Sequence, residues 1–221
     1  MGEKGVSTIT SAAAHAKVDL KKEMSVCGFS HGATECDLTG KDLGADDARL
    51  LAYDIQNGAL KKLTLWGNDF GGVGVAKIIL QAAEDCGRAV SLCGFDEKQT
   101  EADLKGKQLT RVEVMMLAFD LSKGYISQSL RALNLEGTEL TNDKAMELAK
   151  GIRDIKAPLK ISLFNNPLDD RGVKAITKAA TGHDMSLCGF DPAQESADLS
   201  GEVTNRSLTM DEINLLAWYV C

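Results

Sequence analysis

A five-residue string, Ser-x-Cys-Gly-Phe, stands three times in this chain, at residues 25–29, 91–95 and 186–190. Each copy is followed at the same distance by Asp-Leu-x-Gly, at residues 37–40, 103–106 and 198–201. The copies begin 66 and 95 residues apart, intervals that differ by 29 residues. A fixed period of that size is the mark of a chain built from stacked units, none of which can bury its own apolar face. By this count one simpler unit lies between the first two copies and two lie between the second and third.

The simpler units are legible. Leu60, Leu63, Leu65, Asn68 and Phe70 form the first, spaced Leu-x-x-Leu-x-Leu-x-x-Asn-x-Phe. Leu130, Leu133, Leu135, Thr138 and Leu140 repeat the spacing. Ile161, Leu163, Asn166 and Leu168 repeat it again, with Pro158 where the first leucine belongs. Ten residues beyond Leu38, Leu65, Leu104, Leu135 and Leu163 stand Ala48, Val75, Val114, Ala145 and Val173. From each of these, the positions three and seven further on are apolar, which is one face of a helix. They are Leu51 and Ile55, Ile78 and Ala82, Leu117 and Leu121, Leu148 and Ile152, and Ile176 and Ala180. A sixth unit fits after a four-residue insertion, through Ile213, Leu216 and Val220. Each unit therefore reads as a short strand, a turn and a helix. Gly40, Gly67, Gly106, Gly137 and Gly201 fall two residues past the last strand leucine, where the backbone must swing away from the sheet.

Over residues 24–221 these spacings resemble the leucine-rich-repeat family. The helix in every unit of about 28 residues is similar to its ribonuclease-inhibitor-like subclass. The resemblance implies an α/β solenoid of about six repeats, with a short parallel sheet on the concave side, helices on the convex side, and residues 1–23 as an N-terminal extension or cap, partly helical. The family's asparagine ladder is incomplete: only Asn68 and Asn166 occupy that place, while Lys41, Lys107, Thr138 and Glu202 fill the rest. The Ser-x-Cys-Gly-Phe strings are expected to add a short extra strand or outlying hairpin.

Aromatic residues are only 5% of the chain, so small aliphatics must fill its core, as suits thin repeated layers. The net charge of −7 argues against a nucleic-acid partner, which needs a basic face. A basic protein partner is permitted and not required. No apolar run approaches the roughly 18 residues of a membrane span. The N-terminus departs from a myristoylation site at Val6, and a Ser, Thr and Ala-rich start resembles an organelle transit peptide apart from Glu3 and Asp19. The expected location is intracellular: the cytoplasm, or an organelle if that start is processed. Cys27, Cys36, Cys86, Cys93, Cys188 and Cys221 read as free thiols, and Cys27, Cys93 and Cys188 as repeat-defined packing positions. His15, His31 and His183 show no ligand or triad spacing, and the glycines at 71, 72 and 74 no phosphate-loop lysine. No cofactor, metal or catalytic residue is expected, and the chain is not expected to be an enzyme.

Side chains flanking the strand leucines should point out of the sheet. Before the last leucine sit Asp37, Thr64, Asp103, Asn134, Ser162 and Asp198. After it sit Thr39, Trp66, Lys105, Glu136, Phe164 and Ser200, and two residues before the first set sit Glu35, Lys62, Glu101, Ala132, Lys160 and Ser196. Trp66 and Phe164 are expected as exposed aromatic anchors for a partner. Asp37, Asp103 and Asp198, with Glu35 and Glu101, are expected to make part of the face acidic. Trp218 and Tyr219, in the apolar run that ends the sequence, are expected to lie uncapped and to meet a neighbour. The expectation is a non-catalytic protein-interaction or scaffold module binding a protein partner. The alternatives are a permanent structural subunit of a larger multi-protein assembly, an organellar one if the start is processed, or a regulator of an enzyme, as an inhibitor or GTPase activator.

Overall fold

The computed structural model describes residues 2–20, 25–30, 32–123, 126, 128–155, 157–189, 212–213 and 215–216, with backbone alone for 14–20. It is a mixed α/β structure with short parallel strands and, among the described residues, six helices. It divides into two compact units, residues 1–96 and 97–221.

The first unit runs α1 (Glu3–Leu20), β1 (Glu35–Asp37), α2 (Ala45–Asn57), β2 (Lys62–Thr64) and α3 (Val73–Asp85). β1 and β2 pair in parallel, with Cys36 opposite Leu63 and Asp37 opposite Thr64. Parallel neighbours need a crossover, and α2 supplies it. Ala48, Leu51 and Ile55 of α2 are buried as the three-and-seven spacing predicts. Arg88 ties the far end of α2 to the strand entry, its guanidinium donating to the carbonyls of Ile55 and Leu60.

In α3 the buried face is not the expected one. Val75 and Ile78 are only half-buried, while Ala76, Ile79, Ala82 and Ala83 are buried. The reason is one extra residue in the connection. The residue that starts the helix lies six positions past the strand leucine in the other units, at Gly44, Thr110, Thr141 and Asp169, but at Gly72 it lies seven past Leu65. Gly71 and Gly72 absorb it with φ of 76° and 99°, open to glycine and costly for other residues.

The second unit runs β3 (Glu101–Asp103), α4 (Arg111–Ser122), β4 (Ala132–Asn134), α5 (Asn142–Ile152), β5 (Leu159–Ser162), α6 (Asp170–Ala180) and β6 (Met185–Ser186). The strands form one parallel sheet in sequence order. In-register partners are Ala102, Leu133 and Ile161, all buried between sheet and helices. Helix α5 packs on both α4 and α6. At the first contact a Cβ on Gly151 would lie 2.6 Å from the Ala118 Cα, so only glycine lets the two backbones come this close. Thr110 and Glu113 cap α4 reciprocally, each side chain accepting the other's backbone N–H.

Asn68 and Asn166 tie successive turns together within each unit. Asn166 Oδ1 accepts the N–H groups of Thr138 (3.0 Å) and Leu140 (2.9 Å), and its Nδ2 donates to the carbonyls of Leu135 (2.8 Å) and Leu163 (2.9 Å). Asn68 does the same for Lys41, Leu43, Leu38 and Leu65. Where Thr138 replaces asparagine, its hydroxyl donates to the Leu135 carbonyl.

The described parts of the three Ser-x-Cys-Gly-Phe strings share a left-handed glycine. Gly28, Gly94 and Gly189 have φ of 80°, 75° and 75°. Ser25 and Ser91 each accept, through Oγ, the N–H of the phenylalanine four residues on (2.8 Å). The second copy supplies the extra strand segment: Ser91 and Cys93 bridge to Lys62 and Thr64 along the second edge of β2. The third copy begins as β6, with Cys188 bridging to Ser162. The described strands form two parallel sheets, and β2 takes the Ser91 segment beside it. Of the sixth-unit positions Ile213 is exposed and Leu216 half-buried, Glu212 and Leu215 beside them are buried, and Val220 lies outside the described residues.

Candidate interaction face

Alternation along each strand sends the residues beside the inward leucines toward solvent. In the second unit the register lines them up in two rows. Glu101, Ala132 and Lys160 form one, and Asp103, Asn134 and Ser162 the other. These six residues, with Gly189 at the end, line an open concavity of about 420 Å³. Glu101 and Asp103 are exposed, and the other four are half-buried. Lys105 and Glu136 continue the face into the turns, paired at 2.7 Å.

In the first unit the corresponding rows are Glu35 with Lys62 and Asp37 with Thr64. Lys62 reaches the Asp96 carboxylate (2.5 Å), and that hydrogen bond holds the lysine above its ordinary pKa. Glu35 and Asp37 are exposed. The aspartates of Asp-Leu-x-Gly also have a local duty that the spacing alone did not reveal. Asp37 Oδ1 accepts from the Thr39 hydroxyl (2.6 Å) and N–H (2.9 Å), which lowers its pKa. Asp103 Oδ1 accepts from Lys105 N–H (3.0 Å), and Asn134 Oδ1 from Glu136 N–H (3.1 Å). A short side chain that caps a turn two residues ahead explains why Asp and Asn recur there.

The aromatic anchors need correction. Phe164 is 3% exposed. The next residue, Asn165, donates its N–H to Glu212 (3.0 Å), so a segment 47 residues further along lies against this turn where solvent was expected. Trp66 is half-buried, and its indole Nε1 donates to the Cys93 carbonyl (2.9 Å), fastening the extra strand segment to the turn after β2. Asp198, Trp218 and Tyr219 lie outside the described residues.

A second constellation escaped the sequence reading. Asp54, 3% exposed, accepts three hydrogen bonds from the first copy of the string: from Ser25 Oγ (2.8 Å), Val26 N (2.9 Å) and Cys27 N (2.8 Å). Asp120 stands at the same place in its unit, sixteen residues past the strand leucine, and is fully buried. A charged residue on the inner side of a helix is the signal that could have found both. Desolvation by the surrounding protein, followed by the Asp54 charge, pushes the Cys27 thiol far above the usual thiol range. Burial pushes the Cys188 thiol up to about 12. Such thiols are poor nucleophiles and poor metal ligands. Among the described residues no group of three or more His, Cys, Asp and Glu side chains is arranged to hold a metal ion, and no helix is long and apolar enough to cross a membrane.

The chain matches no protein-family model, and no curated protein is significantly similar to it.

Proposed function

We propose that this chain is a leucine-rich-repeat solenoid of the ribonuclease-inhibitor-like kind whose strand face holds a protein partner. The solenoid reading is supported by the parallel in-register strands, by the left-handed glycines at positions 40, 67, 106 and 137, and by the hydrogen bonds Asn68 and Asn166 make to the preceding turn. The observation that carries the functional reading is the open face around Glu101, Asp103, Ala132, Asn134, Lys160 and Ser162. It is shallow and broad, it is built on rigid strands, and its lining contains neither His nor Cys. Broad polar surfaces of this kind suit protein partners better than enclosed substrates.

The test is affinity capture from native extract with the full chain and with a Ala132→Arg/Ser162→Arg variant, which plants two long side chains on the face. Unchanged circular dichroism and melting temperature establish that the variant is folded. Loss of the captured protein supports the reading, and its retention at wild-type level overturns it.

A further inference from the structure

The two charged walls of the second unit's face are not paired with each other. Glu101 and Lys160 lie in one row with Ala132 between them, two strand spacings apart, or roughly 10 Å. Among the described residues neither forms an ion pair, although Lys105, in the adjacent turn, has found Glu136. Lys160 is nonetheless half-buried, so part of its hydration is already lost. Between the two charges the floor is a methyl group. In the next row Asp103 repeats the negative wall, and Asn134 keeps its Nδ2 donor for a ligand while Oδ1 serves the turn. Gly189 bounds the slot beyond Ser162, where a Cβ would already press on the Ser162 Cβ at 3.2 Å.

From this we infer that the slot accepts an extended peptide segment of a partner protein carrying a cationic side chain toward Glu101 and Asp103 and a carboxylate toward Lys160. Residues two apart in an extended chain share a face at roughly 7 Å, and their side chains splay to span the slot. Alanine leaves room for the backbone, and Asn134 and Ser162 offer it hydrogen bonds. The polarity is fixed by the fold: the acidic wall is on β3 and the ammonium on β5. Glu101, Asp103 and Lys160 select the ligand, and the inference rests on the strand-face reading above.

The probe is a random-peptide phage library selected on the full chain, with enriched peptides synthesised and titrated by fluorescence anisotropy at low and raised salt. The expected peptides pair Arg or Lys with Asp or Glu about two residues away, and bind on the order of tenfold more weakly to Glu101→Gln/Asp103→Asn. The exchanged variant Glu101→Lys/Lys160→Glu should select peptides of reversed polarity. Peptides without this charge pair, or binding indifferent to both variants, overturn the inference. Ala132→Arg separates it from the broader reading. If that variant abolishes binding while the charge variants do not, the face binds but the slot does not select. If none of the variants matters, both readings fall. A dimer of the chain alone that Ala132→Arg disrupts would also overturn it, by naming a second copy as the occupant.

Discussion

Replacing Asn166 by alanine removes six hydrogen bonds with one side chain, and the four shortest of them join backbone groups of successive turns. Of these four, two are accepted from Thr138 and Leu140 and two are donated to Leu135 and Leu163, at 2.8–3.0 Å. All four partner residues are at most 1% exposed, so water does not replace the lost partner without opening the structure. The Leu135 carbonyl keeps one donor, the Thr138 hydroxyl at 2.9 Å. Three uncompensated groups remain, and at about 1 kcal/mol for each net bond the loss is about 3 kcal/mol. For a chain of this size that lowers the melting temperature by roughly 6–12 °C. Urea unfolding followed by circular dichroism gives the free energy, and residue-resolved hydrogen exchange gives the location. The Thr138 and Leu140 amides should lose protection while those of the 1–96 unit keep theirs. A loss below about 1 kcal/mol, or unchanged exchange at those two amides, would refute the idea that this side chain bridges successive turns.

Gly94→Ala should cost more than about 2 kcal/mol, because φ is +75° and the new Cβ would overlap the Thr64 side chain, with Thr64 Cβ at 3.0 Å. Gly32→Ala has the same φ and open space, so it should cost clearly less, and thermal melts of the two compare directly. Asp54→Asn removes the charge that helps hold the Cys27 thiol protonated, so Cys27 should react faster with a thiol reagent at alkaline pH, and an unchanged rate contradicts the assignment. Cys188 has a folded pKa of about 12 against 9.0 for a free thiol. Its contribution to stability is complete below pH 9 and declines as pH rises from 9 toward 12, because the unfolded chain ionises first. The stability-versus-pH curve of Cys188→Ala should therefore fall less steeply than wild type across that window, and parallel curves would be the contrary result.

Local rules were legible where a residue's neighbours in sequence decide its fate. Leu63, Leu65, Leu133 and Leu135 are buried because strand alternation puts them there, and the turn glycines have positive φ because the chain must leave the sheet at that point. Asn68 and Asn166 could be placed from their spacing alone. The misses have two physical sources. A single extra glycine before α3 rotates a helix face by about 100°, which a fixed ten-residue count cannot register. Phe164 is buried and its neighbour Asn165 bonds to Glu212, 47 residues further on, and nothing in the 159–168 pattern carries that contact. The recurrent Asp of Asp-Leu-x-Gly was read as surface charge. Its turn-capping bonds show that one oxygen serves the backbone, leaving the rest of the carboxylate on the face.

The Ser-x-Cys-Gly-Phe turn has a consequence for life in a crowded cell. Open parallel sheets are hazardous because an exposed edge invites any passing extended chain to add on, and growth then continues without limit. Here the segment beside β2 pairs with it through isolated bridges at Ser91 and Cys93, and β6 is two residues long before Gly189 turns the backbone aside. Pairing this short offers an added strand few aligned amides. The same residues that punctuate the sequence thus keep the described strand pairing short on these two flanks.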